Sequence, residues 1–126
     1  MSTPADSIKI MLLDDHRSVL WGLEKLIEGE GPGMQVIGKA TTSAEAMRLL
    51  DDVQPDIILL DIDLGGENGV NAIAALIAKS KARVLVLTGS RDATVHDSAV
   101  LAGAVGVVEK GESAETSLKA IKKVHE

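Results

Sequence analysis

Five short aliphatic runs punctuate the chain: IKIMLL (8–13), MQVIG (34–38), DIILL (56–60), RVLVL (83–87) and AVGVV (104–108). They recur about every 25 residues and are continuous, which is how strands covered on both faces read. Between them the apolar residues take helical spacing. Val19, Leu23, Leu26 and Ile27 form one stripe, and Ser43 stands where it can N-cap a helix carrying Ala46, Met47, Leu49 and Leu50. Val70, Ile73, Ala74 and Ile77 supply the third helix. Val95, Ala99, Leu101 and Ala102 supply the fourth, and Leu118, Ile121 and Val124 the last. Strict alternation of strand and helix calls for parallel strands joined by right-handed crossovers. Five such units suit an open, doubly wound α/β sheet, since a closed barrel of this kind needs eight. GEGPG (29–33) and GG (65–66) read as turns.

With 126 residues the chain is expected to form one domain, 1–126. It has no Phe, no Tyr and a single Trp, Trp21, so the core must be aliphatic. The absence of cysteine excludes disulfides and Cys-ligated zinc. No apolar run approaches the ~20 residues needed to span a bilayer. The start MSTPADS is not a signal peptide, and a cytoplasmic protein is expected. A net charge of −6 argues against direct grip on nucleic acid. Lys119, Lys122 and Lys123 read as a solvated helix face.

In doubly wound sheets the site lies beyond the carboxyl ends of the strands. The first run leads into Asp14-Asp15-His16, the third into Asp61, the fourth into Thr88-Gly89-Ser90 and the fifth into Glu109-Lys110. The second ends in Gly38-Lys39-Ala40, which offers nothing comparable. Taken singly, each is explained blandly, as a helix cap, a solvated strand end or a surface lysine. Together they bring three carboxylates, a hydroxyl and an ammonium to one edge. Two such charges ~4 Å apart repel by about 4 kcal/mol at an effective dielectric of ~20. A hard divalent cation with oxygen ligands, Mg2+ above all, relieves that. Ammonium, hydroxyl and cation then suit an incoming phosphoryl group, with Asp61 as in-line nucleophile.

LLDDH (12–16), ILLDIDLGGENGV (58–70), VLTGS (86–90) and LAGAVGVVEK (101–110) resemble the receiver domain of two-component response regulators. The DDH opening, Gly22-Leu23 and the LAGAxG run resemble its NarL/FixJ (LuxR)-type subfamily. The resemblance implies a flavodoxin-like (CheY-like) five-stranded parallel sheet in order 2-1-3-4-5 with five helices. It implies transfer of a phosphoryl group onto Asp61 from a sensor histidine kinase or phosphotransfer protein. Asp15 would ligate Mg2+ directly and Asp14 largely through water, with Asp61 and the backbone carbonyl of Asp63 completing the site and Mn2+ an acceptable substitute. Thr88 and Lys110 would sense the phosphoryl group, Thr88 moving inward and the face of the fourth helix, fifth strand and fifth helix repacking. The only chemistry would be the domain's own phosphorylation and dephosphorylation. A homodimer on phosphorylation, and a helix-turn-helix output domain beyond residue 126 as the sole route to DNA, are further expectations.

The sequence departs from the family at several points. Val107 replaces the usual Tyr or Phe, so a smaller or differently routed change is expected on phosphorylation. Gly65 and Gly111 stand where proline is common. Glu109 is expected to be solvated. Asp63 and Ser90 flank the path of a hydrolytic water. Trp21, opposite the apolar stripe with Leu20 at its flank, is a candidate docking anchor for the phosphodonor; the plainer reading folds it over a neighbouring loop. Two alternatives compete with this reading. One is a receiver-like binding module that works without phosphorylation. The other is a haloacid-dehalogenase-type phosphatase, from Asp61-Ile62-Asp63, against which stand Gly65 and the lack of a downstream acidic pair.

Overall fold

A computed structural model describes residues 7–29, 33–64, 67–89, 92–109 and 114–125. The elements run β1 (Ile8–Leu13), α1 (Arg17–Glu28), β2 (Met34–Ala40), α2 (Ser43–Leu49), β3 (Ile57–Asp61), β4 (Asp63–Leu64), β5 (Glu67–Asn68), α3 (Gly69–Ser80), β6 (Arg83–Thr88), α4 (Ala93–Leu101), β7 (Gly106–Glu109) and α5 (Ala114–His125). The five long strands form one sheet in the order β2-β1-β3-β6-β7, every pairing parallel. That is the expected 2-1-3-4-5 order.

Because successive side chains of a strand face opposite ways, each strand feeds two cores. Met11, Leu13, Ile58, Leu60, Val84 and Val86 face α2, α3 and α4 through Ala46, Ile73, Leu76 and Ala99. Ile10, Leu12, Ile57, Leu59, Leu85 and Leu87 face α1 and α5 through Leu20, Ile27, Leu118 and Ile121. β3, the middle strand, is buried along its whole length, Asp61 included. Arg83 Nη1 donates to the carbonyl of Val124, tying the last turn of α5 to the start of β6.

The structure corrects several expectations. Thr42, not Ser43, caps α2: its hydroxyl accepts from Glu45 N at 3.1 Å, while Glu45 Oε1 accepts from Thr41 N at 2.7 Å. β2 continues to Ala40, and β7 starts at Gly106 because residues before it finish α4. There Gly103, at φ 120°, donates to Val100 O, and Ala104 donates to Ala99 O, both at 3.0 Å, which closes α4 with a Schellman motif. Leu101, expected on the inner face of α4, is 88% exposed. A helix turns about 100° per residue, so burying Ala99 points Leu101 outward. On α3 Ala74 is exposed and Leu76 takes the core position. Leu20, expected to flank the stripe and help dock a partner, is instead 6% exposed within the core. The two-residue arms β4 and β5 pair antiparallel, Asp63 with Asn68 and Leu64 with Glu67.

Candidate phosphoacceptor and cation site

The site is assembled by strand register. Asp14 N donates to Ala40 O at 3.1 Å, which extends the β1–β2 ladder by one residue and fixes the first acidic position. Asp61 ends β3, opposite Leu87 of β6, and Ile62 N donates to Leu87 O at 3.1 Å. Thr88 closes β6 opposite Glu109 of β7. Neighbouring parallel strands thus deliver Asp14, Asp61 and Thr88 to one edge of the sheet, and all three are buried. Asp15 is half-buried beside them.

His16 joins this group, which the sequence reading did not foresee. Its Nδ1 lies 3.2 Å from Asp14 Oδ1, 3.0 Å from Asp15 Oδ1 and 3.8 Å from Asp61 Oδ2. One donor atom from each of the four residues fits within 4.8 Å of the others. Carboxylates at that separation repel by about 3.5 kcal/mol per pair at an effective dielectric of ~20. Asp14 Oδ2 and Asp15 Oδ1 are buried and accept no hydrogen bond. A buried Asp14 oxygen without a donor, within a cluster of carboxylates, is favourably met by a cation, so the residues present fit a divalent metal.

Behind the acidic edge, Gly69 N donates to Ile62 O at 3.2 Å. A Cβ at Gly69 would stand 2.5 Å from that oxygen, so only glycine lets α3 start this close to the Asp61–Asp63 turn. The backbone of Asp63 opens β4; its side chain, Ser90 and Lys110 lie outside the described residues, as do Gly65 and Gly111. Val107 is half-buried and packs against the core that holds Val86 and Ala99. Glu109 is half-buried too, not freely solvated.

Trp21 is 64% exposed, with Lys25 Nζ 5.9 Å from the ring centroid. The ring covers no core, and it borders a groove of about 350 Å³ with Arg17, Leu20, Lys39, Thr41 and Glu45. Leu20 lines that groove but, 6% exposed, is packed too deeply to anchor a partner itself. Among the described residues no helix is long and apolar enough to cross a membrane.

The family model for the response regulator receiver domain matches residues 10–122. The DNA-binding transcriptional activator DevR/DosR of Mycobacterium tuberculosis is 35% identical over 118 residues, covering 93% of this chain and 54% of that protein. The chain spans about half the length of the curated relatives it matches. A two-component response regulator of the LuxR family from Aurantimonas sp. superposes with a TM-score of 0.87 at 33% identity, over 94% of this chain and 85% of that one. A response regulator protein from Burkholderia pseudomallei, solved with a phosphorylated aspartic acid, calcium ion and citrate, gives 0.83 at 28% identity over 94% and 69% of the two chains. Membership sets aside the phosphatase reading of Asp61-Ile62-Asp63. With its sheet order, its acidic edge and these relatives in agreement, the chain belongs to the response regulator receiver domains, in the NarL/LuxR-type branch.

Proposed function

We propose that Asp61 is the phosphoacceptor of this signalling switch, loaded by a sensor histidine kinase or a phosphotransfer protein. The observation that carries the reading is the burial of Asp61 at a strand end within one cluster of Asp14, Asp15 and His16 donors. An Asp61 oxygen attacks phosphorus, an aspartyl phosphate forms, and the bond from phosphorus to the donor nitrogen breaks with its electron pair leaving on that nitrogen. Asp14, Asp15, Asp61 and the carbonyl of Asp63 would hold Mg2+, or Mn2+ in its place. The cation supplies charge compensation for the phosphoryl oxygens. Thr88 and Lys110 bind those oxygens, and Asp63 and Ser90 border the approach of water. The phosphorylated aspartic acid and calcium ion of the Burkholderia relative support this arrangement.

The signal leaves through the face of α4, β7 and α5, by a shift between pre-existing conformations. Val107 lacks the ring that would follow Thr88 inward, so the shift is small. Trp21 anchors the phosphodonor. In the whole protein the output is transcriptional, through a helix-turn-helix domain and a homodimer formed on phosphorylation, in the cytoplasm. The similarity to DNA-binding and LuxR-family regulators supports that.

Intact-protein mass after incubation with acetyl phosphate and Mg2+ tests the core of the proposal. One added phosphoryl group, absent from Asp61→Asn and abolished by chelator, is expected. If no adduct forms and beryllofluoride also fails to bind, the reading falls and the phosphorylation-independent binding module replaces it.

A further inference from the structure

We propose that His16 is itself a ligand of the cation site, giving it a nitrogen donor and with it a preference for divalent transition ions over Mg2+. The inference rests on the phosphoacceptor reading, because it concerns the same cation, and adds a donor which that reading does not contain.

The geometry of the donors carries it. Neighbouring ligands of a six-coordinate ion with bonds of about 2.1 Å lie about 3 Å apart, and opposite ones about 4.2 Å. From His16 Nδ1 the distances to Asp14 Oδ1, Asp15 Oδ1 and Asp61 Oδ2 are 3.2, 3.0 and 3.8 Å. All three separations fall in that range, so the imidazole nitrogen stands where a ligand would. A second, independent observation shows the cluster open toward a cation. Asp14, whose side chain is only 2% exposed, keeps a buried Oδ2 with no hydrogen bond.

The backbone holds the residue beside the carboxylates. His16 N donates to Asp14 Oδ1 at 2.9 Å, so the residue is tied to one of the carboxylates it would share a metal with. His16 is also the N-cap of α1, in an extended conformation (φ −99°, ψ 106°), and its side chain makes no cap hydrogen bond. The ring is therefore not needed to finish the helix. It is 58% exposed, so it can turn onto a cation at little cost in packing.

The chemical consequence follows from ligand preference. Mg2+ favours oxygen donors and gains little from imidazole, whereas affinity of a nitrogen-containing site rises along the series from Mn2+ to Co2+ and Ni2+. The His16 N–H to Asp14 contact fixes the backbone from which the ring reaches the carboxylates.

Two measurements on the 126-residue chain test the proposal. The first is electron spin-echo modulation of the Mn2+-loaded protein. Directly bound imidazole nitrogen is expected in the wild type, altered by 15N-histidine labelling and absent from His16→Ala. The second is titration calorimetry with Mg2+ and Co2+. His16→Ala is expected to weaken Co2+ tenfold or more while Mg2+ stays within about threefold, and His16→Gln, of similar reach, should show the same loss of Co2+. Circular dichroism confirms that both variants fold. Metal binding without nitrogen modulation, or an unchanged ratio of the two affinities, overturns the inference and leaves the phosphoacceptor reading standing. Failure of the wild type to bind any of the three ions overturns both.

Discussion

Gly69 offers the sharpest test of how the site is held. A Cβ there would lie 2.5 Å from Ile62 O, 2.7 Å from Ile62 Cα and 2.9 Å from Ile62 C. Ordinary carbon contacts are about 3.5–4.0 Å, so the added methyl is roughly 1 Å too close to three atoms. All three are backbone, and none can swing aside. Overpacking of this kind costs about 1–3 kcal/mol, and removing a helical glycine returns at most about 0.5–1 kcal/mol. Gly69→Ala should therefore lose up to about 2.5 kcal/mol net. Gly22 is the internal control. It lies within α1, is exposed, and has nothing within 4 Å of its would-be Cβ. Gly22→Ala should gain about 0.5–1 kcal/mol. Urea unfolding followed by far-UV circular dichroism will resolve the two, since each kcal/mol moves the midpoint by roughly 0.3–1 M. Because Ile62 joins Asp61 to Asp63, Gly69→Ala should also weaken cation binding, and Gly22→Ala should not. A Gly69→Ala midpoint that rises together with that of Gly22→Ala would refute the close approach of α3 to the Asp61 turn.

Adjacent residues of α1 should behave oppositely as well. Leu20→Ala should cost about 2–5 kcal/mol as a core deletion, whereas Trp21→Ala should leave the unfolding midpoint nearly unchanged and slow phosphotransfer from the cognate kinase; equal transfer rates would end the docking role of Trp21. Asp92 caps α4 by accepting from Thr94 Oγ1 at 2.7 Å and Thr94 N at 2.9 Å, and these bonds, the hydroxyl's first, hold its carboxyl below the usual value. Its charge stabilises the fold above the ordinary aspartate pKa of about 3.9, and that contribution is lost as the pH falls through the lowered folded value. Asp92→Ala should accordingly melt lower than wild type at neutral pH, with the gap narrowing in strong acid; a gap constant across that range would contradict the cap. For Val107, amide chemical shifts with beryllofluoride should change most around Asp61 and Thr88 and little over 92–103, and large shifts along α4 would show that the switch travels without a ring.

The carboxyl ends of β1, β3 and β6 were legible because continuous apolar runs mark strands buried on both faces, and topology then dictates which ends meet, whereas β2 ran two residues further and β7 began two residues later than their runs. Asp14, Asp61 and Thr88 follow from that reasoning alone. Helix faces were less legible, since one residue swings a side chain by about 100°. That is why Leu20, one position from the drawn stripe, proved to be core, and Leu101, drawn on its stripe, proved exposed. The pairing of Asp63–Leu64 with Glu67–Asn68 was hidden by its length, as two-residue arms have no periodicity to read. The reach of His16 into the acidic edge depends on the turn between β1 and α1, and only the DDH spelling hinted at it. Gly69 differs from any turn glycine only in three dimensions, through its approach to Ile62.

The solitary tryptophan has an optical consequence. With no tyrosine in the chain, almost all near-ultraviolet absorption and emission comes from one indole that already faces water in the native state. Denaturing the protein changes the surroundings of that indole little, so emission should be nearly blind to unfolding. A partner that covers the groove beside Lys39 and Glu45 would instead dry the ring and shift its spectrum to the blue. The chain thus has a built-in optical label that reports encounters and ignores the integrity of the fold.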